Sequence, residues 1–332
     1  MADDPTRTSA PIHDVVMIGA GPAALSAAIY TTREDIDTVL YERGVVGGLA
    51  AVTDWIDNYP GFPQGIAGLE YADKLREQAE RFGAQIELGE VSRIQADVKG
   101  VTDEGKYKRL ETTDGEVLAK AVLIATGSDY KKIGVPGEKE YYAHGVHYCA
   151  TCDGAFYRDK KLVVVGGGNS AVQEAMFLTR FASHIDLLVR SDHMRASEVL
   201  QQELKEKHAD KITVHFNTTT DEIVGEDSKV THVIGTDKTT GDKVEFQTDG
   251  VFVFVGLKPN TEFLAGTDIE LDEIGLIKAN DNLETSMRGV FVAGDVRSGA
   301  TMQIASATGD GASAALYIRE YLDGHERQYG VA

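Results

Sequence analysis

The chain has little cysteine, and that scarcity excludes the disulfide framework of a small secreted domain. Cys149 and Cys152 are the two cysteines among its 332 residues. They form a Cys-x-x-Cys pair, so both sulfurs can lie on one side of a turn and form a strained, easily reduced disulfide. A bridge that closes so short a loop removes little entropy from the unfolded chain. The pair therefore favours redox chemistry over a structural role.

Two other interpretations of the cysteine pair are open. His144 and His147 lie just upstream and would complete half of a zinc site, but the chain has no second cysteine pair and the histidine spacing matches no standard zinc finger. Buried thiols without a function are the second alternative, since cysteine packs as a small hydrophobic residue. We expect the segment from Asp153 onward to begin a helical turn whose N–H groups favour a thiolate on the preceding residues. The sequence thus predicts a redox pair and no metal site.

Long hydrophobic runs are also missing. No apolar run approaches the roughly 20 residues that a membrane-spanning helix needs. The first eleven residues, Met1 to Pro11, are polar and lack the apolar core of a signal peptide. We therefore expect a cytoplasmic protein, and 332 residues are enough for two domains that each have a core.

Basic residues are scarce relative to acidic ones. The chain has 33 Lys and Arg against 53 Asp and Glu, a formal net charge of −20. Such a charge repels nucleic acid and anionic membranes, so neither is expected as a partner. One hypothesis is adaptation to a halophilic, high-salt cytoplasm, where screening makes the self-repulsion tolerable. That hypothesis predicts a loss of stability or activity on dialysis into low salt.

The first chemical motif is a dinucleotide-binding βαβ pattern near the N-terminus. The apolar residues 15–18 lead into a Gly-x-Gly-x-x-Ala turn and a helix-like stretch, and the next apolar run, residues 38–41, ends in Glu42. Gly19 permits the tight turn, and Gly21 lets the backbone approach a pyrophosphate. Glu42 can accept hydrogen bonds from a ribose, so this unit suits the adenosine half of FAD.

The pattern occurs a second time in the middle of the chain. Residues 162–165 lead into a glycine turn and a helix-like segment over residues 172–181, and the strand that follows ends in Arg190. Arginine accepts a 2′-phosphate, which an acid at this position would repel, and Arg195 can reach the same group. The second unit therefore favours NADP(H). The alternative is a structural turn with two solvated arginines.

Two dinucleotide units and one redox-active pair define an electron path. Hydride passes from a nicotinamide to the flavin, and two electrons then pass from the flavin to the disulfide. Further strands that end in glycine occur at residues 122–127, 251–256 and 290–295, and residues 306–322 follow a helical pattern with small residues on one face. We expect an α/β fold of two Rossmann-like domains of the three-layer ββα type. Residues 12–127 and 253–332 form a discontinuous FAD-binding domain, and residues 128–252 form an inserted NAD(P)H-binding domain that carries the cysteine pair.

At this point the ordered motifs resemble a known family, the low-molecular-weight (class II) thioredoxin reductases. The resemblance covers residues 15–322. Its motifs are GAGPAA (19–24), NYPGFP (58–63), ATG (125–127), CATCDG (149–154), GGGNSA (166–171), VGLKPN (255–260) and AGDV (293–296). CATCDG between the two nucleotide units is the most specific of them.

The resemblance implies a homodimer that holds FAD tightly but not covalently and reduces thioredoxin with NADPH. It implies that Cys152 lies beside the flavin, that Cys149 attacks the thioredoxin disulfide, and that Asp153 is the general acid or base for the thiols. It also implies that the inserted domain rotates between two states on short links near Gly127 and Val253.

The resemblance further implies two sets of cofactor contacts. For FAD they are Gly19, Gly21, Pro22, Ala23, Tyr41, Glu42, Arg43, Gly47, Gly48, Leu49, Asn58, Val91, Ala125, Thr126, Gly127, Gly294, Asp295, Met302, Gln303 and Ile304. For NADP they are Gly166, Gly168, Asn169, Ser170, Arg190, Ser191 and Arg195.

Three positions depart from the family pattern. Ser191 replaces an arginine of the nucleotide-phosphate motif, Leu49 replaces a glutamine on the flavin side, and Met302 replaces an arginine. These changes leave open the same dithiol flavoenzyme with NADH, ferredoxin or another donor, or with a glutaredoxin-like or peroxidase partner. A flavin-binding redox sensor without turnover is an alternative of another class. A ferredoxin–NADP reductase has no use for CATCDG.

Overall fold

The structure is a computed structural model that describes residues 10–53, 55–99 and 106–329. The sequence prediction about the polar N-terminal segment falls largely on residues 1–9, which lie outside the described residues. The chain forms two compact units, Met1–Asp129 with Lys258–Ala332, and Tyr130–Leu257, so the second unit is inserted in the first. The domain boundaries expected from the sequence lie a few residues before these junctions. The nucleotide that each unit binds stays a prediction.

The elements follow one another along the chain in three groups. Before the insertion they are β1 (Ile12–Ile18), α1 (Pro22–Thr32), β2 (Thr38–Glu42), α2 (Gly48–Ala51), β3 (Trp55–Ile56), β4 (Ile66–Ala67), α3 (Gly68–Arg81), β5 (Gln85–Leu88), β6 (Val91–Lys99), β7 (Lys106–Thr112), β8 (Gly115–Ile124) and β9 (Ser128–Tyr130). In the insertion they are β10 (Val146–His147), α4 (Ala150–Asp153), a 3₁₀ turn (Gly154–Tyr157), β11 (Lys161–Val165), α5 (Asn169–Leu178), β12 (His184–Leu188), α6 (Glu198–Lys207), β13 (Ile212–His215), β14 (Thr218–Glu226), β15 (Lys229–Asp237), β16 (Lys243–Gln247) and β17 (Gly250–Val253). After it come β18 (Leu257–Pro259), a 3₁₀ turn (Glu262–Leu264), β19 (Val290–Val292) and α7 (Ile304–Tyr329).

The first unit is built on a seven-stranded sheet in the order β5-β2-β1-β8-β7-β6, with β19 also paired to β8. Strands β5, β2, β1, β8 and β19 run parallel, whereas β7 runs antiparallel to both of its neighbours. Ile18 lies opposite both Tyr41 and Ile124. The carboxyl ends of β1, β2 and β8 therefore meet at one edge, where open parallel sheets bind ligands.

Alternation along β1 explains how this sheet is covered on both faces. Val15 and Met17 pack in one core cluster with residues of helices α1 and α7, and Val16 and Ile18 pack in another, on the opposite face. Because successive side chains of a strand point to opposite faces, a continuous apolar run fits a sheet buried on both sides.

The second unit repeats this arrangement with a smaller sheet. Five parallel strands in the order β10-β17-β11-β12-β13 form its centre. Leu162 and Val164 pack with residues of α5 and α6, whereas Val163 and Val165 pack with residues of the antiparallel sheet β14-β15-β16. The layers are thus sheet, sheet and helices. The α/β fold class predicted from the sequence, with one unit inserted in the other, is confirmed.

The bounds of three helices differ from the sequence predictions. Helix α5 ends at Leu178 rather than at residue 181, because the backbone beyond it turns and the hydroxyl of Thr179 donates to the carbonyl of Met176. Helix α7 extends beyond both predicted ends, to Ile304 and Tyr329. The turn after the first cysteine begins at Ala150 rather than at Asp153, so the second cysteine lies inside it. In the described part of the chain, no helix has the length and apolar character needed to span a membrane.

Candidate active site

The first glycine turn lies where β1 ends and α1 begins. Gly19 has a φ of 101°, and a Cβ there would lie 2.5 Å from the carbonyl oxygen of Ala125 on the neighbouring strand end. Only glycine fits such a position without strain. At Gly21, by contrast, a Cβ would enter open space. The backbone is therefore tight on the sheet side and open on the side where a ligand would approach.

Glu42 is fixed at the mouth of this turn. Its Oε2 accepts a hydrogen bond from the N–H of Ala20 at 2.8 Å, and its Oε1 accepts one from the N–H of Gly44 at 2.8 Å. Each carboxylate oxygen has a second lone pair, so the acid can still accept from a ribose hydroxyl. In the described residues no side chain caps the N-terminus of α1. Unpaired N–H groups of a helix start suit the pyrophosphate of a dinucleotide.

The structure brings most of the predicted FAD residues to this edge of the sheet. They lie in the glycine turn and start of α1 (Gly19, Gly21, Pro22, Ala23), at or after the end of β2 (Tyr41, Glu42, Arg43), at the start of α2 (Gly47, Gly48, Leu49), after β8 (Ala125, Thr126, Gly127), after β19 (Gly294, Asp295) and before or at the start of α7 (Met302, Gln303, Ile304). Asn58 joins them, since its Nδ2 donates to Oε1 of Gln303 at 3.1 Å. Val91 differs, because its side chain is buried in the core.

Two of these residues carry signs of a specialised environment. Burial, reinforced by the nearby carboxylate of Asp310, raises the pKa of Asp295 from an ordinary value near 3.8 to about 6. Met302 has a φ of 53°, a conformation that side chains other than glycine rarely adopt. Strained backbone and shifted acids concentrate at functional sites, so both observations fit a cofactor at this edge.

The second glycine turn lies between β11 and α5. Gly166 has a φ of 148°, and a Cβ there would run into the backbone of Phe254. Gly168 again faces open space, and helix α5 begins at Asn169 without a side-chain cap in the described residues. Both glycine turns therefore offer the same features to a pyrophosphate.

Cys149 and Cys152 form a disulfide with their Cα atoms 5.3 Å apart. Cys149 is the N-cap residue of α4, and its sulfur accepts a hydrogen bond from the N–H of Cys152 at 3.1 Å. The N–H of Asp153 donates to the carbonyl of Cys149 at 3.2 Å. Both cysteines are half-buried. The redox pair predicted from the sequence is thus a disulfide held across one helical turn.

Comparison with known proteins gives one consistent result. The model of the pyridine nucleotide-disulphide oxidoreductases matches residues 13–311. The thioredoxin reductase of Bacillus subtilis (strain 168) is 45% identical over 312 residues, which are 94% of this chain and 95% of that protein. The thioredoxin reductase of Listeria innocua is 41% identical over 313 residues, 94% of each chain. The crystal structure of thioredoxin reductase from Streptococcus pyogenes superposes with a TM-score of 0.88 at 39% identity and covers 95% of this chain and 100% of that one.

The chain belongs to the thioredoxin reductase family of pyridine nucleotide-disulphide oxidoreductases. Membership makes it an oxidoreductase and implies a flavin and a pyridine nucleotide. Within this family, the two glycine turns and the disulfide are the parts of the structure that bear on chemistry.

The loop after β12 carries the residues that the sequence predicts for the nucleotide phosphate. Arg190 is exposed at the end of the strand, and Arg195 is tied to the second glycine turn because its N–H donates to the carbonyl of Gly167 at 2.7 Å. The hydroxyl of Ser191 donates to the carbonyl of His193 at 2.7 Å. The predicted nucleotide residues Asn169 and Ser170 are exposed at the start of α5.

One residue near this loop has no signal in the sequence. Lys238 follows β15, and its Nζ donates to the carbonyl of Arg190 at 3.2 Å. It places a positive charge where the family motif loses one at Ser191. An opposing charge, Asp192, shares the loop, and its hydrogen bond with His193 lowers the pKa of its carboxyl, so it remains ionised.

The histidines upstream of the cysteines do not gather around a metal. His144 is exposed, whereas His147 is buried against the carboxylate of Asp153 and the hydroxyl of Tyr157. Among the described residues no cluster of three or more His, Cys, Asp or Glu side chains has the arrangement of a metal site.

Proposed function

We propose that this protein is an NADPH-dependent thioredoxin-disulfide reductase. Electrons pass from NADPH to FAD, from FAD to the Cys149–Cys152 disulfide, and from the resulting dithiol to thioredoxin. The observation that carries the proposal is the disulfide across α4, in a chain that also holds two glycine turns with open helix starts. The two relatives reported above are named thioredoxin reductase, and the similarity covers nearly their whole length.

The two cysteines have different tasks in this proposal. The N–H of Cys152 lies 3.1 Å from the sulfur of Cys149, where it stabilises a thiolate once the disulfide is reduced. Cys149 is therefore the attacking thiol, and Cys152 is the thiol that faces the flavin. Asp153, next in sequence, exchanges protons with the thiols as general acid and base.

The proposed cofactors divide between the two units. The edge of the first sheet, with Glu42 and the open start of α1, would hold FAD, and the second glycine turn would hold NADPH. When bound, the flavin supplies the step that converts hydride transfer into two-electron reduction of a disulfide. The chain's own part is to hold the phosphates on helix N–H groups and to position the disulfide.

NADPH is the proposed donor because Arg190 and Arg195 of the loop after β12, together with Lys238 that follows β15, outnumber Asp192. A 2′-phosphate gains charge-assisted hydrogen bonds from such a cluster. Ser191 and Asp192 favour the alternative, the same dithiol enzyme supplied by NADH, ferredoxin or another donor. The alternative partner is a disulfide protein other than thioredoxin.

We further propose that the protein works as a homodimer in a cytoplasm, where its two cysteines can cycle. The net charge of −20 supports the hypothesis of a high-salt cytoplasm.

Single cysteine variants test the proposed function. Cys149→Ser is expected to leave flavin reduction by the nucleotide intact and to abolish reduction of thioredoxin. Retained turnover in this variant would refute the role of Cys149. Multiple turnovers by the parent protein exclude a sensor that reacts once, and a screen of NADPH, NADH and reduced ferredoxin separates the donors.

A further inference from the structure

His147 lies between two side chains of the segment that carries the disulfide. Its Nδ1 is 3.2 Å from Oδ2 of Asp153, and its Nε2 is 2.6 Å from the hydroxyl of Tyr157. The ring is 7% exposed and stacks on Phe252 with 5.1 Å between ring centroids. Phe252 is itself fully buried in β17. The imidazole is therefore held with one nitrogen toward the acid and the other toward the phenol.

Asp153 depends on this histidine for its position. Its side chain is 21% exposed, and in the described part of the chain His147 is the ion-pair partner found for it. The contact engages Oδ2 and leaves Oδ1 without a hydrogen bond among the described residues. Oδ1 is therefore the carboxylate oxygen that remains open to a further hydrogen bond.

Tyr157 allows the imidazole to carry either one proton or two. Burial, together with the charges of Asp153 and Asp249, raises the pKa of the Tyr157 phenol, so the hydroxyl keeps its proton. A hydroxyl can both donate and accept. It donates to Nε2 when the ring is neutral, which leaves the Nδ1–H facing Asp153, and it accepts from Nε2–H when the ring is charged. Neither state leaves a buried nitrogen unpaired.

Two further titratable groups interact with this segment. Tyr142 interacts with Asp153, and burial raises its pKa, so it remains neutral. Asp249 interacts with Tyr157 and adds to the rise of the pKa of its phenol.

We propose that His147 is a positioning residue for Asp153: it anchors Oδ2 and shares a proton with the acid, while Oδ1 exchanges that proton with the thiols. The inference rests on the proposed function, in which Asp153 serves the thiols. An isolated aspartic acid gives up its proton near pH 4, whereas an imidazole does so near pH 6.5. The histidine therefore extends the supply of protons into the range where a cytoplasmic enzyme works.

The protons and electrons balance in this scheme. The Cys149 thiolate attacks one sulfur of the partner's disulfide, a mixed disulfide forms, the partner's own S–S bond breaks, and the leaving thiolate takes the proton of the Asp153–His147 pair. Cys152 then returns its thiol proton to the pair and attacks the sulfur of Cys149. The mixed disulfide breaks, the Cys149–Cys152 bond forms again, and the second partner thiolate takes from water the proton that Cys149 had released. Two electrons leave the dithiol and reduce the partner.

The pH dependence of turnover tests the proposal in the flavin-loaded protein. In His147→Asn the side-chain amide can still face Asp153 but cannot take up a proton. We expect turnover with thioredoxin to fall about tenfold at pH 7 and less than about threefold at pH 4.5, where a carboxyl alone still keeps part of its proton; the factor is a part of what general acid–base catalysis supplies. A loss that is equal at both pH values, or no loss at all, overturns the proposal.

The matched control is another histidine–aspartate pair in the same unit. His215 Nε2 lies 2.7 Å from Oδ1 of Asp186, away from the cysteines in sequence and on another strand, β13. His215→Asn makes the same chemical change and is expected to leave the pH profile unaltered. If it reproduces the effect of His147→Asn, the effect is not specific to the disulfide and the proposal is wrong.

A second readout needs neither a nucleotide nor thioredoxin. The rate of alkylation of the chemically reduced holoprotein by iodoacetamide, followed against pH, reports the thiolate directly. Without the imidazole the carboxylate repels a thiolate more strongly, so His147→Asn is expected to slow alkylation about threefold at pH 7. In the Asp153→Asn background, His147→Asn is expected to leave the rate of alkylation unchanged, because the histidine acts through the acid. Equal effects in both backgrounds would show a merely structural role and contradict the proposal.

Two outcomes remain distinguishable. If the parent protein does not reduce thioredoxin, the proposed function fails, but the alkylation profiles still decide the role of His147. If His147→Asn does not fold, Tyr157→Phe retains the aromatic packing and removes the partner of Nε2. This variant is expected to shift the turnover profile in the same direction by a smaller factor, and an unchanged profile would count against the proposal.

Discussion

The N–H of Cys152 donates a hydrogen bond to the sulfur of Cys149 at 3.1 Å. The reverse relationship does not occur, because Cys149 precedes α4 and Cys152 lies within it. A donor directed at one sulfur stabilises the thiolate of that residue over the thiolate of the other. The structure thus gives the two sulfurs different hydrogen-bond environments within one helical turn.

This asymmetry predicts the order of alkylation. After chemical reduction, one equivalent of iodoacetamide at pH 7 is expected to modify Cys149 several times more often than Cys152, because the thiolate is the nucleophile. Peptide mapping by mass spectrometry measures the ratio. Preferential modification of Cys152 would reverse the roles assigned above.

The charges around the second glycine turn predict nucleotide preference. Arg190→Ala is expected to weaken the binding of NADPH about tenfold and the binding of NADH less than about twofold. Only NADPH carries the 2′-phosphate, which arginine binds through two parallel charge-assisted hydrogen bonds. Lys238→Ala is expected to act in the same direction by a smaller factor. Dissociation constants for both nucleotides measure the effect.

Lys243→Ala is the control for these variants. It removes a lysine from β16, in the sheet β14-β15-β16 whose strand β15 precedes Lys238. The Nζ of Lys243 lies 2.8 Å from Oδ2 of Asp221. Both nucleotides should bind this variant as they bind the parent protein. Equal losses of NADPH and NADH in Arg190→Ala would remove that residue from the phosphate site.

The first glycine turn predicts a contrast between two alanine variants. Gly19→Ala is expected to cost more than about 2 kcal/mol of unfolding free energy, because its φ of 101° strains a side chain and the Cβ meets the backbone of Ala125. Gly21→Ala is expected to leave the stability of the flavin-free protein nearly unchanged and to weaken flavin retention, since its Cβ enters the open space at the start of α1. Urea unfolding and flavin release measure the two effects. Loss of stability in Gly21→Ala with normal flavin retention contradicts the placement of the pyrophosphate.

Asp295 predicts a pH dependence of the flavin-free protein. Its pKa is raised to about 6 in the folded chain, so the folded state binds the proton more tightly than the unfolded state. Its contribution to stability is therefore greatest below about pH 4 and is lost as the pH rises to about 6, by at most about 3 kcal/mol. Asp295→Asn should be more stable than the parent protein at pH 8 and similar to it at pH 4. Equal unfolding free energies at pH 8 would mean that the carboxyl is not destabilised by burial.

Much of the fold could be predicted because its signals are local. The apolar runs that became β1 and β11 lead into glycine turns, the run of β2 ends in Glu42, and Arg190 follows the run of β12. The glycine spacing of each turn is contained within six residues. Helix ends were less predictable. The apolar Phe181 beyond α5 continues the pattern of the helix, although the backbone has already turned at Thr179.

The candidate site also has a part that local sequence predicts and a part that depends on the fold. Cys149, Cys152 and Asp153 are adjacent in sequence, so their grouping needed no knowledge of the fold. Lys238 and Arg190 are separated by 48 positions and meet only because β15 carries the lysine back to the end of β12. The contact between His147 and Asp153 joins neighbouring segments, but the sequence does not show which histidine is turned inward.

In the proposed function, electrons pass from the flavin to thioredoxin through the Cys149–Cys152 disulfide. The most direct test of this path is an anaerobic titration of the flavin-loaded protein in high salt, first with NADPH and then with NADH, while flavin absorbance is followed and oxidised thioredoxin is added afterwards. Rapid bleaching by NADPH and recovery of the absorbance on addition of thioredoxin are expected. A flavin that stays oxidised with both nucleotides would exclude them as donors and leave the disulfide path to another donor. A flavin that bleaches and does not recover with thioredoxin would contradict the path.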